Sequence, residues 1–178
     1  PEPTPAPPPS FCAEHGFGRE VAFDVTGPFG VHRQELADDF WVPVRGDWEP
    51  ADTWDFDRNW TGCESFVFIP DTIPVSAEDP TSLWEADLDE LVATSVRNAH
   101  YFFVSRRNQA DADANLAAME QRVADLLASF DEDDAAWWGA RLHVIAARSA
   151  DLGGWVGDVL TGVGRSGFTI DRAQRIRG

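Results

Sequence analysis

This 178-residue chain contains no lysine, has few cationic side chains and has no long apolar run. All 14 basic side chains are arginine, they face 31 acidic ones, and the formal charge is −17. Such an excess of carboxylates repels phosphate backbones and anionic lipid, which argues against nucleic-acid binding and electrostatic membrane docking. The apolar runs are only a few residues long, whereas a membrane-spanning helix needs about 20. We therefore expect no membrane span and no nucleic-acid partner.

Recognisable catalytic and cofactor motifs are missing too. The sequence has no P-loop, no G-x-G-x-x-G and no G-x-S-x-G elbow. Its aspartate clusters, around positions 52–57, 111–113 and 131–134, lack the spacing of an EF-hand, and the last two fall at predicted helix starts, where acids complement the helix dipole. The histidines show neither HxH nor HExxH spacing. They are His15, His32, His100 and His143. We predict no metal and no cofactor.

What the chain does have is enough apolar material for one domain. Hydrophobic residues make up 43% of it, with eight Trp and twelve Phe, which excludes a mostly disordered protein. The first ten residues, PEPTPAPPPS, predict a stiff extended tether. We divide the chain into a proline-rich linker, residues 1–11, and a folded domain, residues 12–178. A folded unit on a proline tether is typical of secreted and surface-anchored proteins, so we predict an extracytoplasmic location.

The hydrophobic pattern predicts an α/β fold. Alternating apolar residues over 19–26 and 40–44 indicate an N-terminal β-hairpin. Nearly continuous apolar runs at 66–69, 101–104 and 142–147 are typical of parallel strands covered on both faces, and amphipathic helices are predicted between them. A helix start is predicted at Asp79-Pro80-Thr81. A short helix over 155–160 and strands at 168–170 and through Ile176 complete the expected order.

The last residues carry a resemblance to a known family. The string Gly167-Phe168-Thr169-Ile170-Asp171-Arg172-Ala173-Gln174-Arg175-Ile176-Arg177-Gly178 resembles the closing hairpin of thioredoxin-like proteins in their longer peroxiredoxin and TlpA-like form. The order hairpin, βαβαβ, short helix, hairpin is similar to theirs as well. Gln174 stands where the family usually has Gly. The resemblance implies a thioredoxin-like three-layer sandwich with a central mixed sheet, preceded by the N-terminal β-hairpin.

The departures from that family bear on function. Redox members carry a thiolate just after the first central strand, where a helix start depresses its pKa, but residues 70–80 contain no cysteine. Family members also have a cis-proline before the closing hairpin, and residues 164–167 contain no proline. The resemblance therefore implies a scaffold without redox activity. Family members usually add a helix after the closing strand, so we also expect a longer polypeptide.

The two cysteines, Cys12 and Cys63, leave three interpretations open. An even pair in a secreted chain favours a disulfide, which would close a loop of about fifty residues and stabilise the fold by a few kcal/mol. Two buried free thiols are the second interpretation. A reactive Cys63 is the third, and His143 is the weak candidate for its base. We favour the disulfide.

Four tryptophans, Trp41, Trp48, Trp54 and Trp60, alternate with aspartates and a glutamate. Exposed Trp beside carboxylates is what a sugar-binding surface uses, whereas Trp packed in the core is the alternative that we favour. Our leading hypothesis is a non-catalytic binding or accessory domain of a larger secreted or surface-anchored bacterial protein. Its partner would be a protein or further domains of the same polypeptide. The alternatives are part of an extracellular enzyme, either a thiol oxidoreductase or peroxidase using Cys63 or the N-terminal module of a hydrolase, and a carbohydrate-binding module.

Overall fold

The computed structural model describes residues 9–45, 53–71, 88–161 and 167–178, and seven strands and five helices lie in them. The strands are β1 (Trp41–Arg45), β2 (Thr53–Asp55), β3 (Ser65–Pro70), β4 (Ala99–Ser105), β5 (Leu142–Arg148), β6 (Phe168–Ile170) and β7 (Ile176–Arg177). The helices are α1 (Phe11–Glu14), α2 (Leu88–Thr94), α3 (Gln109–Ser129), α4 (Glu132–Gly139) and α5 (Gly154–Thr161). The predicted α/β class is confirmed.

All seven strands belong to one mixed sheet, in the order β2-β1-β5-β4-β3-β6-β7. The central strands β3, β4 and β5 are parallel neighbours, and helices join them because a parallel pair needs a crossover connection. The pairs β3–β6, β6–β7, β1–β5 and β1–β2 are antiparallel. The central strands therefore begin at one edge of the sheet, here called the amino edge, and end at the other, the carboxyl edge.

Helices pack on both faces of the sheet. Helices α2, α3 and α4 pack on one face, with Met119 and Trp138 among their buried contacts. Helix α5 packs on the other, where Trp54 of β2 and Phe56, which follows it, belong to the same core cluster as Phe102. All seven residues of β4 are buried, as its unbroken apolar run indicates for a strand covered on both sides. None of the described helices combines the length and apolar character that crossing a bilayer requires.

The amphipathic segment between β4 and β5 forms two helices. Its predicted stripe is buried along α3, where Leu116, Met119 and Val123 face the sheet. The helix then breaks, and the Asp131 carboxylate accepts a hydrogen bond from the backbone N–H of Asp134, 2.9 Å away, which caps α4. Acids at this position therefore complete a helix terminus. The helix start predicted at residues 79–81 lies outside the described residues.

The N-terminal hairpin differs from the prediction. Residues 19–26 form no strand, and β1 pairs instead with β2, through Trp41–Asp55, Val42–Trp54 and Pro43–Thr53. Of the three apolar residues in this alternation, only Phe23 packs on the core, while Val21 and Val25 are exposed, so the alternation does not mark a buried strand face. One backbone–backbone hydrogen bond, from the Val21 N–H to the Gly62 carbonyl at 2.9 Å, helps to hold this segment, together with side-chain bonds from Trp60 and Gln174. Gly62 has φ +77, and a Cβ there would lie 2.3 Å from the Val21 carbonyl oxygen, so the close approach requires glycine.

Gln174 explains the departure from glycine in the closing hairpin. Its φ is +59, in the left-handed region where glycine is favoured, and its side chain is buried. The amide oxygen accepts from the Asp24 N–H at 2.7 Å, and the amide nitrogen donates to the carbonyls of Ala37 and Asp24, at 2.7 and 3.1 Å. These bonds tie the N-terminal segment to the β6–β7 turn and offset the backbone cost of a non-glycine residue.

Candidate functional site

The two cysteines form a disulfide at the amino edge. Cys12 of α1 is bonded to Cys63, two residues before β3, with a Cα–Cα distance of 6.0 Å. Neither cysteine has solvent-exposed surface. The predicted disulfide is therefore confirmed, and the described residues hold no free cysteine. Thiol chemistry needs an accessible sulfur, so burial of both partners opposes a reactive Cys63.

Four charged or titratable side chains meet next to this disulfide, and we call them the buried polar cluster: Glu64, His100, Arg141 and His143. Glu64 Oε1 accepts from Arg141 Nη2 at 2.7 Å and Nε at 3.0 Å, and its Oε2 accepts from the Thr61 hydroxyl at 2.9 Å. All four members are buried, and Glu64 is only 2% exposed. They meet because the parallel strands β3, β4 and β5 all begin at this edge.

One assignment of histidine tautomers satisfies the contacts within the cluster. If His143 Nε2–H donates to His100 Nδ1 at 3.0 Å, then His100 Nε2–H points at Glu64 Oε1, 3.4 Å away. Burial lowers the pKa of both histidines, so both are neutral near pH 7. Burial opposes ionisation of Glu64, but its contacts with His100, Arg141 and Thr61 outweigh this and lower its pKa to about 2. The cluster therefore has one carboxylate balanced by one guanidinium.

Helix α1 closes this cluster from solvent. The guanidinium of Arg141 lies 3.6 Å from the ring centroid of Trp137 and 5.7 Å from that of Phe11, close enough for cation–π attraction. The rings of Phe11 and Trp137 are stacked 6.2 Å apart, and the Cys12–Cys63 bond anchors α1 in place. The disulfide thus holds a covering helix over a buried ion pair. His143, which the sequence suggested as a base for Cys63, is hydrogen-bonded to His100 inside this enclosed cluster. This arrangement favours a structural role for His143 over a catalytic one.

The carboxyl edge carries a second buried acid. Asp71 directly follows β3, has no exposed surface, and accepts from Arg107 Nε at 2.6 Å. Its backbone N–H donates to the Val104 carbonyl at 2.8 Å. By the family resemblance, the loop that carries the redox thiolate would begin at this point. In this chain the residue placed there is an ion-paired aspartate.

An open pocket of about 370 Å³ lies at the carboxyl end of β5, beside β1. This is the edge at which open α/β sheets bind ligands. Its aromatic wall is formed by Phe40, Trp41 and Trp155, and its charged groups are Asp39 and Asp151. The rest of the lining is apolar or glycine and consists of Pro43, Ala147, Leu152, Gly153 and Gly154.

The pocket walls are held by specific contacts. Trp155 Nε1 donates to the Gly30 carbonyl at 2.6 Å, and its ring stacks on Phe40 with centroids 5.5 Å apart. Asp39 Oδ1 accepts from the backbone N–H groups of Phe40 and Asp57, at 2.9 and 3.2 Å, which fixes the carboxylate. Trp41, on the outer face of β1, is 64% exposed. The site thus combines fixed groups with one large accessible aromatic ring.

Three of the four tryptophans suggested by the sequence as a sugar-binding surface lie in the described residues, and they do not form one exposed surface. Trp54 is 1% exposed and packs against Phe66, Phe102 and both core histidines. Trp60 is half-buried, and its indole N–H donates to the Val21 carbonyl at 2.8 Å. Trp48 lies outside the described residues. Of the three that the structure describes, Trp41 is the one that lines the pocket, and Trp155 is part of the same lining.

Sequence reasoning named one residue at each site, His143 in the buried polar cluster and Trp41 at the pocket, and missed the others. Glu64 and Arg141 each stand immediately beside a predicted buried strand, and a charge at such a position is the available signal, since buried charges need partners. Asp39 and Trp155 lie more than a hundred residues apart, and their sequence positions show no common pattern. The described residues contain no group of three or more His, Cys, Asp or Glu side chains arranged to hold a metal ion. No family model, curated protein or solved structure matches this chain.

Proposed function

We propose that this chain is a thioredoxin-like binding domain without redox activity, belonging to an extracytoplasmic bacterial protein. The order of its elements supports the resemblance: a β1–β2 hairpin, three parallel strands with intervening helices, α5 and the antiparallel β6–β7 pair. A buried disulfide in a domain of this size fits an oxidising compartment. The protein partner, or further domains of the same polypeptide, would dock on its surface.

The position of the disulfide carries the proposal. Both cysteines are joined at the amino edge, before β3, whereas redox relatives use the loop that follows this strand. Strand β3 has six residues, so the two positions are about 20 Å apart at 3.3 Å per residue. At the far end the described chain offers Asp71, which is paired with Arg107. Cysteines at the amino edge are not placed for the thiol exchange of redox thioredoxin-like proteins, which supports a role without redox chemistry.

The competing enzyme hypothesis uses Cys63 as a nucleophile. Attack on a disulfide requires access to one of its sulfurs, and both cysteines here are fully buried beneath α1. His143 is also fully buried and bonds to His100 rather than to a cysteine sulfur. The geometry therefore favours a structural disulfide over a catalytic one.

Thiol titration combined with turnover assays tests the proposal. We expect no titratable thiol in the purified chain, either native or in denaturant, because both cysteines are bonded to each other. We also expect insulin reduction and peroxide consumption at the level of a Cys12→Ser/Cys63→Ser control. Disulfide reduction in the native protein within seconds, together with turnover above that control, would contradict the proposal and establish an oxidoreductase.

A further inference from the structure

The pocket at the carboxyl edge combines aromatic walls with negative charge. Its volume of about 370 Å³ falls in the range of small-molecule sites, roughly 300–1,000 Å³. Trp41 and Trp155 line it, and tryptophan is the best aromatic partner for a cation. Among the described residues, the charged side chains in its lining are two aspartates, with no arginine.

The two aspartates differ in how their charge is balanced. Asp151 is bridged by Arg148, which binds both of its carboxylate oxygens. Asp39 forms no salt bridge within the described part of the chain, and its hydrogen-bond donors are neutral backbone N–H groups. Desolvation by its neighbours and repulsion from Asp55 and Asp57 raise the pKa of Asp39. Asp39 is thus the fixed carboxylate in the pocket lining whose charge a positive ligand would stabilise.

A third carboxylate lies beside the exposed aromatic ring. Asp55 of β2 is the direct cross-strand partner of Trp41 in the β1–β2 hairpin. Directly opposed residues in an antiparallel pair have their Cβ atoms about 5 Å apart and project to the same face. Negative charge therefore lies beside Trp41 as well as in the pocket lining, and the chain as a whole carries a charge of −17.

We propose that this pocket binds a small organic cation with an alkylammonium head, which packs against Trp41 and Trp155 and directs its charge toward Asp39. Charge complementarity selects this occupant. An anion would meet two aspartates and no unpaired cation in the lining, and a bare metal ion would find no cluster of ligands among the described residues. A neutral sugar could stack on the Trp41 ring but would leave the charge of Asp39 uncompensated. This inference rests on the proposed binding function and specifies the chemistry of its ligand.

Calorimetric titration with matched ligands tests the inference. Choline and tetramethylammonium are compared with 3,3-dimethylbutan-1-ol, which has the shape of choline without its charge, and with maltose. We expect saturable choline binding that is at least tenfold tighter than binding of the neutral alcohol, and no binding of maltose. Raising the salt concentration is expected to weaken choline binding, because much of the attraction is between charges.

Variants localise the site. Trp41→Ala is expected to weaken choline binding at least tenfold and Trp41→Phe by less, since cation–π attraction is stronger for indole than for phenyl. Asp39→Asn removes the charge but keeps a side-chain oxygen that can accept from the Phe40 and Asp57 N–H groups. It is expected to weaken binding threefold or more. Val96→Ala, a change at an exposed residue outside the pocket lining, is the control and is expected to leave binding unchanged. Far-UV circular dichroism verifies that each variant is folded.

Four outcomes would overturn the inference. Equal affinity for choline and its neutral isostere would mean that the pocket selects apolar shape, and maltose binding lost in Trp41→Ala would assign the site to sugars. Heats of binding that are absent for every ligand, or that persist unchanged in Trp41→Ala, would also refute it. None of these results alters the thiol titration, so failure of the ligand assignment and failure of the redox-inactive binding role are measured separately.

Discussion

The amino and carboxyl edges of the central sheet differ in whether their charged side chains are buried and paired or lie at an open pocket. At the amino edge, an acid, a guanidinium and two histidines are buried together under a disulfide-anchored helix. At the carboxyl edge near β5, an aspartate and a tryptophan stand at an open pocket, and the acid lacks a cationic partner among the described residues. Buried charge must be paired within the protein, whereas charge at a pocket is available to a ligand. The amino edge therefore serves stability, and the carboxyl edge is where we place binding.

Breaking the buried ion pair is expected to have the largest effect. Glu64→Gln leaves Arg141 buried without its carboxylate and should lower the free energy of unfolding by about 3–5 kcal/mol. Glu120→Gln, which breaks the solvent-exposed pair with Arg45, is the matched control and should cost at most about 1 kcal/mol. Urea unfolding followed by circular dichroism measures both. Equal effects for the two variants would remove the distinction between the buried cluster and a surface ion pair.

Removing the disulfide is expected to come next. Cys12 and Cys63 are 51 residues apart, and the Cys12→Ala/Cys63→Ala double variant should lose about 2–4 kcal/mol of stability, since its unfolded chain regains loop entropy. Because the disulfide also anchors α1 over Arg141, we expect faster amide hydrogen exchange around Glu64 in this variant. A double variant as stable as the parent chain would contradict the stabilising role assigned to the disulfide.

Acid is expected to destabilise the amino edge in two stages. The pKa values of His100 and His143 lie below their ordinary value of 6.5, so below that pH the unfolded chain binds more protons than the folded one and stability falls. Glu64, with a pKa lowered from 4.5 to about 2, adds a second loss of about 3 kcal/mol between those two pH values. Unfolding free energies measured from pH 8 to 2 give the profile. His143→Phe should flatten the first stage, and a parent profile that stays level from pH 7 to 5 would be inconsistent with neutral buried histidines.

Gln174 tests a polar contact in the β6–β7 turn, outside the buried polar cluster. Gln174→Ala keeps the left-handed backbone and loses three side-chain hydrogen bonds, so we expect a loss of about 2 kcal/mol. Gln174→Gly loses the same bonds but relieves the backbone, and should be more stable than the alanine variant by about 1 kcal/mol. Thermal unfolding of the two variants compares them. Alanine equal to glycine would show that the positive φ has no measurable cost.

The smallest effect on stability is expected at the pocket. Trp41→Ala removes a ring that is 64% exposed and should change the unfolding free energy by no more than about 0.5 kcal/mol. Trp54→Ala, in the neighbouring strand, removes a fully buried ring and should cost about 3–5 kcal/mol. Chemical denaturation of the pair measures the contrast. A large loss in Trp41→Ala would mean that this residue supports the fold, which would weaken the argument for a binding surface.

Local pattern predicted much of the fold. The runs at 66–69, 101–104 and 142–147 all lie in central strands, because a strand covered on both faces must be apolar throughout. The stripe that contains Leu116 and Met119 is buried along α3 for the analogous reason in a helix. The alternation at 19–26 predicted a strand incorrectly, since one backbone–backbone hydrogen bond and the side chains of Trp60 and Gln174 hold that segment without a sheet partner. The periodicity of apolar residues alone does not distinguish a strand paired in a sheet from a segment held by isolated hydrogen bonds.

The candidate sites depend on long-range contacts. Glu64 and Arg141 are 77 residues apart, and Trp155 bonds to a carbonyl 125 residues away. What the sequence by itself determined is the α/β class, the buried strands, the closing hairpin and a cysteine pair suited to a disulfide, because these follow from local periodicity and composition. Tertiary structure alone decided which charges became buried partners, which tryptophan stayed exposed and where a pocket opened, because those outcomes depend on how distant segments pack.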